Sequence, residues 1–221
     1  MHEGHRERLK SRFREAGLDS FNQHQVLELL LFYTIPRRNT NDIAHSLINR
    51  FGSLSGVLDA GYEHLTKEAG LSSSTATLLS LLPDLCRRYL NDKWGDKPQL
   101  NSTGKAGEYA KTLFHGRPYE AFYVICLDAQ NQVNYAALVH EGTIDSAQIY
   151  PRLIVEAALR HKAASVILAH NHPGGSLQPS SADLDATKKI KSACETIQVS
   201  VVDHIIVAGE KYFSFADRSL I

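Results

Sequence analysis

The residues best equipped for chemistry lie in one stretch, 169–183, AHNHPGGSLQPSSAD. It follows the apolar SVIL of residues 165–168 and leads into LDATKKIKSACETI, whose apolar positions recur at helical spacing. Along a β-strand residues i and i+2 project from one face, so His170 and His172 bring two imidazoles to one point if the strand runs through Asn171. Zinc takes nitrogen ligands at about 2.0–2.1 Å in a tetrahedral array, and two histidines supply half of it. After PGG turns the chain, SLQP leads to a helix start at SSAD. Asp183 then sits in the first helical turn, where the positive end of the helix dipole favours a carboxylate. Two neutral histidines and one carboxylate leave a Zn²⁺ site with net charge near +1 and an open fourth position for water. That is the composition of a catalytic site, because structural zinc sites usually close with four protein ligands. The same letters also spell an ordinary helix cap, with Ser180 or Ser181 accepting from first-turn amides and Asp183 complementing the dipole. Two other metal chemistries are excluded. A base deaminase needs H-x-E with PCxxC, and this chain has no CxxC; a two-metal hydrolase needs more carboxylates near His172 than PGGSLQP supplies.

The elements that must hold this stretch are legible from hydrophobic periodicity. YEAFYVICLD and NYAALVH flank the turn-like AQNQV and read as a hairpin, and Pro151 opens a helix to about Lys162. ASVILAH reads as a buried strand and Asp183 to Ile197 as a helix. VSVVDHIIVA, GEK and YFSFA then make a final hairpin. The expected fold class from about Ser102 onward is α/β, a mixed sheet covered by helices. Upstream the period changes: HQVLELLLFYTI, NDIAHSLINRF, LSGVLDA and TATLLSLLPDLCRRYL each carry a helical stripe, punctuated by Pro36, Gly52 and Gly70. The intervening NDKWGDKPQLNSTG is polar and has the composition of a linker. The expected organisation is a small all-α domain at 1–90, a linker at 91–101 and the α/β domain at 102–221.

Bulk composition narrows the function. Lys plus Arg and Asp plus Glu number 24 each; the balance holds in both parts, with 11 basic and 10 acidic residues up to Leu90 and the remaining 13 and 14 beyond it. Binding to nucleic acid through an overall positive field is therefore not expected, although a local patch is compatible with these counts. Three cysteines, odd in number and far apart, with no secretory leader in the first thirty residues, point to a reducing cytoplasmic setting. No apolar run approaches the roughly 18 residues of a membrane span.

His170-x-His172, seven residues, Ser180, two residues and Asp183 match the H-x-H-x(7)-S-x-x-D pattern, so the region resembles the JAMM (MPN+/JAB) zinc metalloproteases. With HPGG, DHIIV after the helix and Pro151-Arg152 ahead of it, the resemblance is to the RadC (UPF0758-like) branch and covers nearly all of Ser102 to Ile221. It implies a JAB/MPN fold with cytidine-deaminase-like layering, and one Zn²⁺ per chain held by His170, His172 and Asp183. It implies Glu120, at the start of the first long strand, as general base, and Ser180 as hydrogen-bond donor to the oxyanion. From the sequence alone Glu141 and Glu156 are rivals for the base, and Glu120 could be a surface charge on an edge strand. Gly174 stands where the RadC branch commonly has serine. Of Asp203 and His204, adjacent on a strand, only one can face a given side, and one is expected to support a ligand.

The stretch from Phe51 to Leu82 resembles the helix-hairpin-helix region that precedes the JAB domain in RadC proteins. Such hairpins contact DNA phosphate through the amides of a glycine-containing turn. Here the turn is Gly70-Leu71-Ser72-Ser73, and Ser72 replaces the second glycine, which weakens the expectation of DNA contact. The basic residues of GHRERLKSRFREAG spread around the helix and read as a solvated face. The leading expectation is a zinc metallopeptidase or isopeptidase acting on an unidentified peptide or protein. The alternative is a DNA-associated protein of repair or recombination, with the JAB domain as accessory hydrolase or scaffold.

Overall fold

The computed structural model describes residues 2–142 and 151–221, in two compact units, residues 1–85 and 86–221. The first unit contains α1 (His2–Ala16), α2 (Gln23–Leu31), α3 (Thr40–Phe51), α4 (Leu54–Asp59) and α5 (Tyr62–Leu65), and α6 (Ser73–Asp92) runs through the division. Its core joins Leu27 and Leu31 of α2, Ala44 and Leu47 of α3, Val57, Leu65, and Ala76 and Leu79 of α6. The i, i+3 and i, i+4 spacings are those of helical stripes turned to a common centre. Each fully buried leucine there contributes roughly 1.5–3 kcal/mol.

Two polar details of this unit matter below. Glu28 is buried, with its carboxylate 3.1 Å from His5 Nε2, 3.4 Å from Thr40 Oγ1 and 3.2 Å from Asn41 Nδ2. At the start of α6, the Ser72 hydroxyl accepts from the Thr75 amide at 3.2 Å. One first-turn amide of that helix is thus engaged by the chain itself.

The second unit is built on a mixed sheet of five strands among the described residues, in the order β2-β1-β3-β4-β5. The strands are β1 (Ala121–Leu127), β2 (Val133–Glu141), β3 (Ser165–Asn171), β4 (Ser200–Ala208) and β5 (Lys211–Ser214). β3 and β4 are parallel and the other pairs antiparallel. α9 (Ser181–Glu195) connects the parallel pair, as a parallel crossover requires. Strand alternation divides the buried side chains between two faces. On one, Phe122, Val124, Val166 and Leu168 pack with Ile190 of α9 and with Ile154 and Ala158 of α8 (Pro151–Arg160); what precedes Pro151 lies outside the described residues. On the other, Tyr123, Ile125, Ile167 and Ile205 pack with Ala106, Tyr109, Ala110 and Leu113 of α7 (Thr103–Phe114).

α7 is absent from the sequence reading, although it carries a start signal, with Ser102 Oγ accepting from the Lys105 amide, and an i, i+3, i+4, i+7 apolar stripe. Its close seat on the sheet depends on Gly107, where an added Cβ would overlap the ring of Tyr212. The polar stretch 91–101 is structured at both ends: Trp94 packs on this same core, Leu100 is buried, and Gln99 bridges to Gln132. The mixed sheet flanked by helices is the fold class expected from the sequence.

Candidate metal centre

His170 is the penultimate residue of β3, its ring near-parallel to that of Phe122 on β1 at a centroid distance of 5.8 Å. His172 lies just past the strand but stays in its register, because its amide donates to the Val207 carbonyl at 2.8 Å. Both imidazoles therefore project from the α8/α9 face, as the two-residue period requires. Asp183 reaches them from the first turn of α9, which Ser180 opens with a reciprocal cap. The Ser180 hydroxyl accepts from the Asp183 amide at 3.1 Å, and the Asp183 carboxylate accepts from the Ser180 amide at 2.8 Å. Asp183 Oδ1 lies 3.2 Å from His170 Nε2 and Oδ2 lies 3.8 Å from His172 Nε2. The two Nε2 atoms are 2.9 Å apart, and one ligand atom from each of the three residues falls within 4.8 Å of the others.

Proton accounting says what this cluster wants. His172 Nδ1 is 2.8 Å from the Ser176 carbonyl, which can only accept, so Nδ1 carries the proton and a neutral His172 presents a lone pair at Nε2. His170 Nδ1 is taken up by His204 Nε2 at 2.8 Å, which leaves its Nε2 for the cluster. Lone pairs of two imidazoles and a carboxylate thus converge, an arrangement that is repulsive unless a metal ion or a further proton sits among them. The donor set fits a divalent ion with mixed nitrogen and oxygen ligands, and these residues could hold one. Asp183 is prepared for that role. Burial raises the pKa of its carboxyl, but where His170 carries a second proton its hydrogen bond and charge, with the hydroxyl and amide of Ser180, outweigh burial and hold it below the ordinary range.

Glu120 immediately precedes β1 and is half-buried. Phe122 pairs with His170, so extending that antiparallel register by two residues sets Glu120 across from His172, on the face of the two histidines by alternation. Asn171, between the two histidines, faces the other way and holds the backbone on both sides of Glu120. Its Oδ1 accepts from the Ala121 amide at 2.7 Å and its Nδ2 donates to the Tyr119 carbonyl at 2.9 Å. The two rivals are engaged elsewhere: Glu141 pairs with Arg117 at 3.1 Å, and Glu156 with Arg160 at 2.7 Å along α8.

Ser180 is exposed and donates to Asp183 Oδ2 at 2.7 Å. At Gly174 an added Cβ would meet nothing within 4 Å, whereas Gly175 adopts φ +87°, so the turn depends on the second glycine and tolerates a side chain at the first. The Asp203-His204 pair divides its labour. His204 faces the metal side and bonds to His170; Asp203 faces away and accepts from the His204 amide at 2.7 Å, Ser214 Oγ at 2.7 Å and the Ala216 amide at 3.0 Å. Burial raises the Asp203 pKa despite those bonds. Burial, and next the neighbouring His170, push the pKa of His204 well below its ordinary value.

A β-bulge decides that division. Val166 pairs with Val201, but Ile167 pairs with Asp203, so Val202 is the extra residue. Val201 belongs to the α8/α9 face, and without the bulge Asp203 would share it. With the phase reversed, His204 takes that place.

Residues 100–220 match the family described as RadC-like JAB domain. The chain is 36% identical to a UPF0758 protein of Fusobacterium nucleatum, over 99% of this chain and 97% of that one. It is 35% identical to a UPF0758 protein of a Janthinobacterium species, over 96% and 95%, and 34% identical to one of Pseudoalteromonas translucida, over 97% and 96%.

Proposed function

The chain belongs to the RadC-like JAB domain family, and from that membership we propose that its second unit is a zinc-dependent hydrolase of JAMM type that cleaves an amide or isopeptide bond. The observation that carries this reading is the convergence of one ligand atom each from His170, His172 and Asp183 within 4.8 Å of one another. Zinc held there would lower the pKa of a coordinated water towards about 7 and polarise the scissile carbonyl.

The chain's own groups complete the chemistry. Glu120 takes the proton of the attacking water and returns it to the leaving nitrogen, so that one water is consumed as the C–N bond breaks. Asn171 keeps the Glu120 backbone in line with His172. Ser180 rotates its hydroxyl from Asp183 towards the developing oxyanion, a contribution of about 2.7–4 kcal/mol for one such donor.

The test uses the full chain. Zinc content is measured, with one equivalent per chain expected, and hydrolysis is scanned over peptide and isopeptide-linked substrates. Glu120→Gln is expected to retain zinc and lose turnover. Turnover unchanged in that variant removes Glu120 as the base, and zinc content unchanged in Asp183→Ala removes the ligand assignment.

The second reading, DNA association through the helical unit, meets an obstacle at its hairpin turn, since Ser72 engages the Thr75 amide that a phosphate would use. It calls for salt-dependent binding by the whole chain that is lost when the turn is altered.

A further inference from the structure

Thr187 on α9 and His204 on β4 are buried polar residues beside the cluster. Their hydrogen bonds allow only one direction. Thr187 Oγ1 lies 2.6 Å from the Asp183 carbonyl, which can only accept, so the hydroxyl gives its single proton there. The same Oγ1 lies 2.6 Å from His204 Nδ1. With its proton committed it must accept, and Nδ1 of His204 carries a hydrogen. The His204 nitrogens are occupied by Thr187 and His170, and its faces lie against Phe122 and Phe215. Among the described residues no carboxylate bonds to the ring, so it is neutral and keeps a lone pair at Nε2. His170 Nδ1, 2.8 Å away, must therefore donate to it.

We propose that Thr187 and His204 are positioning residues that place the proton of His170 on Nδ1 and so make its Nε2 the metal-binding atom; this rests on the metal reading above. The relay starts at the backbone of one ligand, Asp183, and ends on another, His170, whose Nε2 faces the Asp183 carboxylate at 3.2 Å. The circuit closes through α9, β4 and β3, so two ligands from separate elements are oriented together. A neutral hydrogen-bond partner on a ligating histidine orients the ring and fixes the tautomer, and removing such partners typically weakens metal affinity about 10- to 100-fold.

Two measurements test this on the full chain. In metal-free, ¹⁵N-labelled protein above the imidazole titration range, NMR of the histidine rings is expected to find His170 protonated at Nδ1 and bare at Nε2. In Thr187→Val the buried His204 Nδ1 loses its acceptor, and both rings are expected to shift towards Nε2–H. Chelator competition is expected to find zinc affinity lowered about 10- to 100-fold in His204→Phe and about 10-fold in Thr187→Val. His204→Gln, whose amide can accept from His170 and donate to Thr187, and Thr187→Ser are expected to recover most of it. His170 carrying its proton on Nε2 in the wild type, or His204→Phe and Thr187→Val binding zinc as tightly as the wild type, overturns the relay. A wild type that takes up no zinc overturns the metal reading instead, and the ring tautomers still decide the direction of the relay.

Discussion

Glu28 in the helical unit and Asp183 in the sheet unit both set a carboxylate 3.1–3.2 Å from a histidine Nε2, yet they are different kinds of place. Around Glu28 the remaining contacts come from a hydroxyl and an amide, Thr40 and Asn41, groups that supply protons. Its charge is met by donors, and nothing further is required. Around Asp183 two imidazoles turn lone pairs inward, their Nδ1 atoms being committed to Ser176 and His204. Proximity of histidine to carboxylate does not distinguish a structural cluster from a metal centre; the balance of donors and acceptors does.

The largest effect expected from this contrast is on zinc. Asp183→Asn should weaken zinc binding by more than the roughly 100-fold upper bound for a residue that only supports a ligand, whereas Glu28→Gln should leave it unchanged by chelator competition. Zinc lost from both variants would erase the distinction. Stability should respond in the opposite sense. Glu28→Leu strands the buried Thr40 hydroxyl inside the helical unit, at about 1–3 kcal/mol for an unsatisfied group, read by denaturant unfolding with zinc binding retained.

A finer contrast lies in the two serine caps. Ser180→Ala and Ser72→Ala each remove a bond to a helix amide, Asp183 N in one and Thr75 N in the other, and each should cost about 1 kcal/mol. Only Ser180→Ala should also weaken zinc, because its hydroxyl donates to Asp183 Oδ2. Equal zinc affinity in both would reduce Ser180 to a cap.

The smallest effect is on acid stability of the metal-free protein. The Asp183 pKa lies below its ordinary 3.8 in the folded chain. Its contribution is therefore fully present above that value and is lost as pH falls through the folded one. Wild type and Asp183→Asn should differ in stability by a constant amount at neutral pH and converge only below about pH 4. Convergence at higher pH would mean that the carboxylate is not held ionised.

What the sequence determined by itself is local. His170 and His172 share a face because a strand has period two, and Ser180 and Asp183 form a reciprocal cap because a helix start brings residues three apart together. Those rules act over a few bonds, and they account for the two local pairs of the candidate site. The sheet's alternating strands were legible for the same reason. The α7 stripe and its Ser102 cap were legible too, but masked by the polar run before them. Only the tertiary structure could decide between Asp203 and His204, since the bulge at Val202 is set by how β4 pairs with β3, some thirty residues away in sequence. Strand register likewise sets Glu120 across from His172, and the pairing of Glu141 with Arg117 joins residues far apart in sequence. The tautomers of the ligating rings belong to that second class, because a proton goes where a distant carbonyl or hydroxyl can accept it.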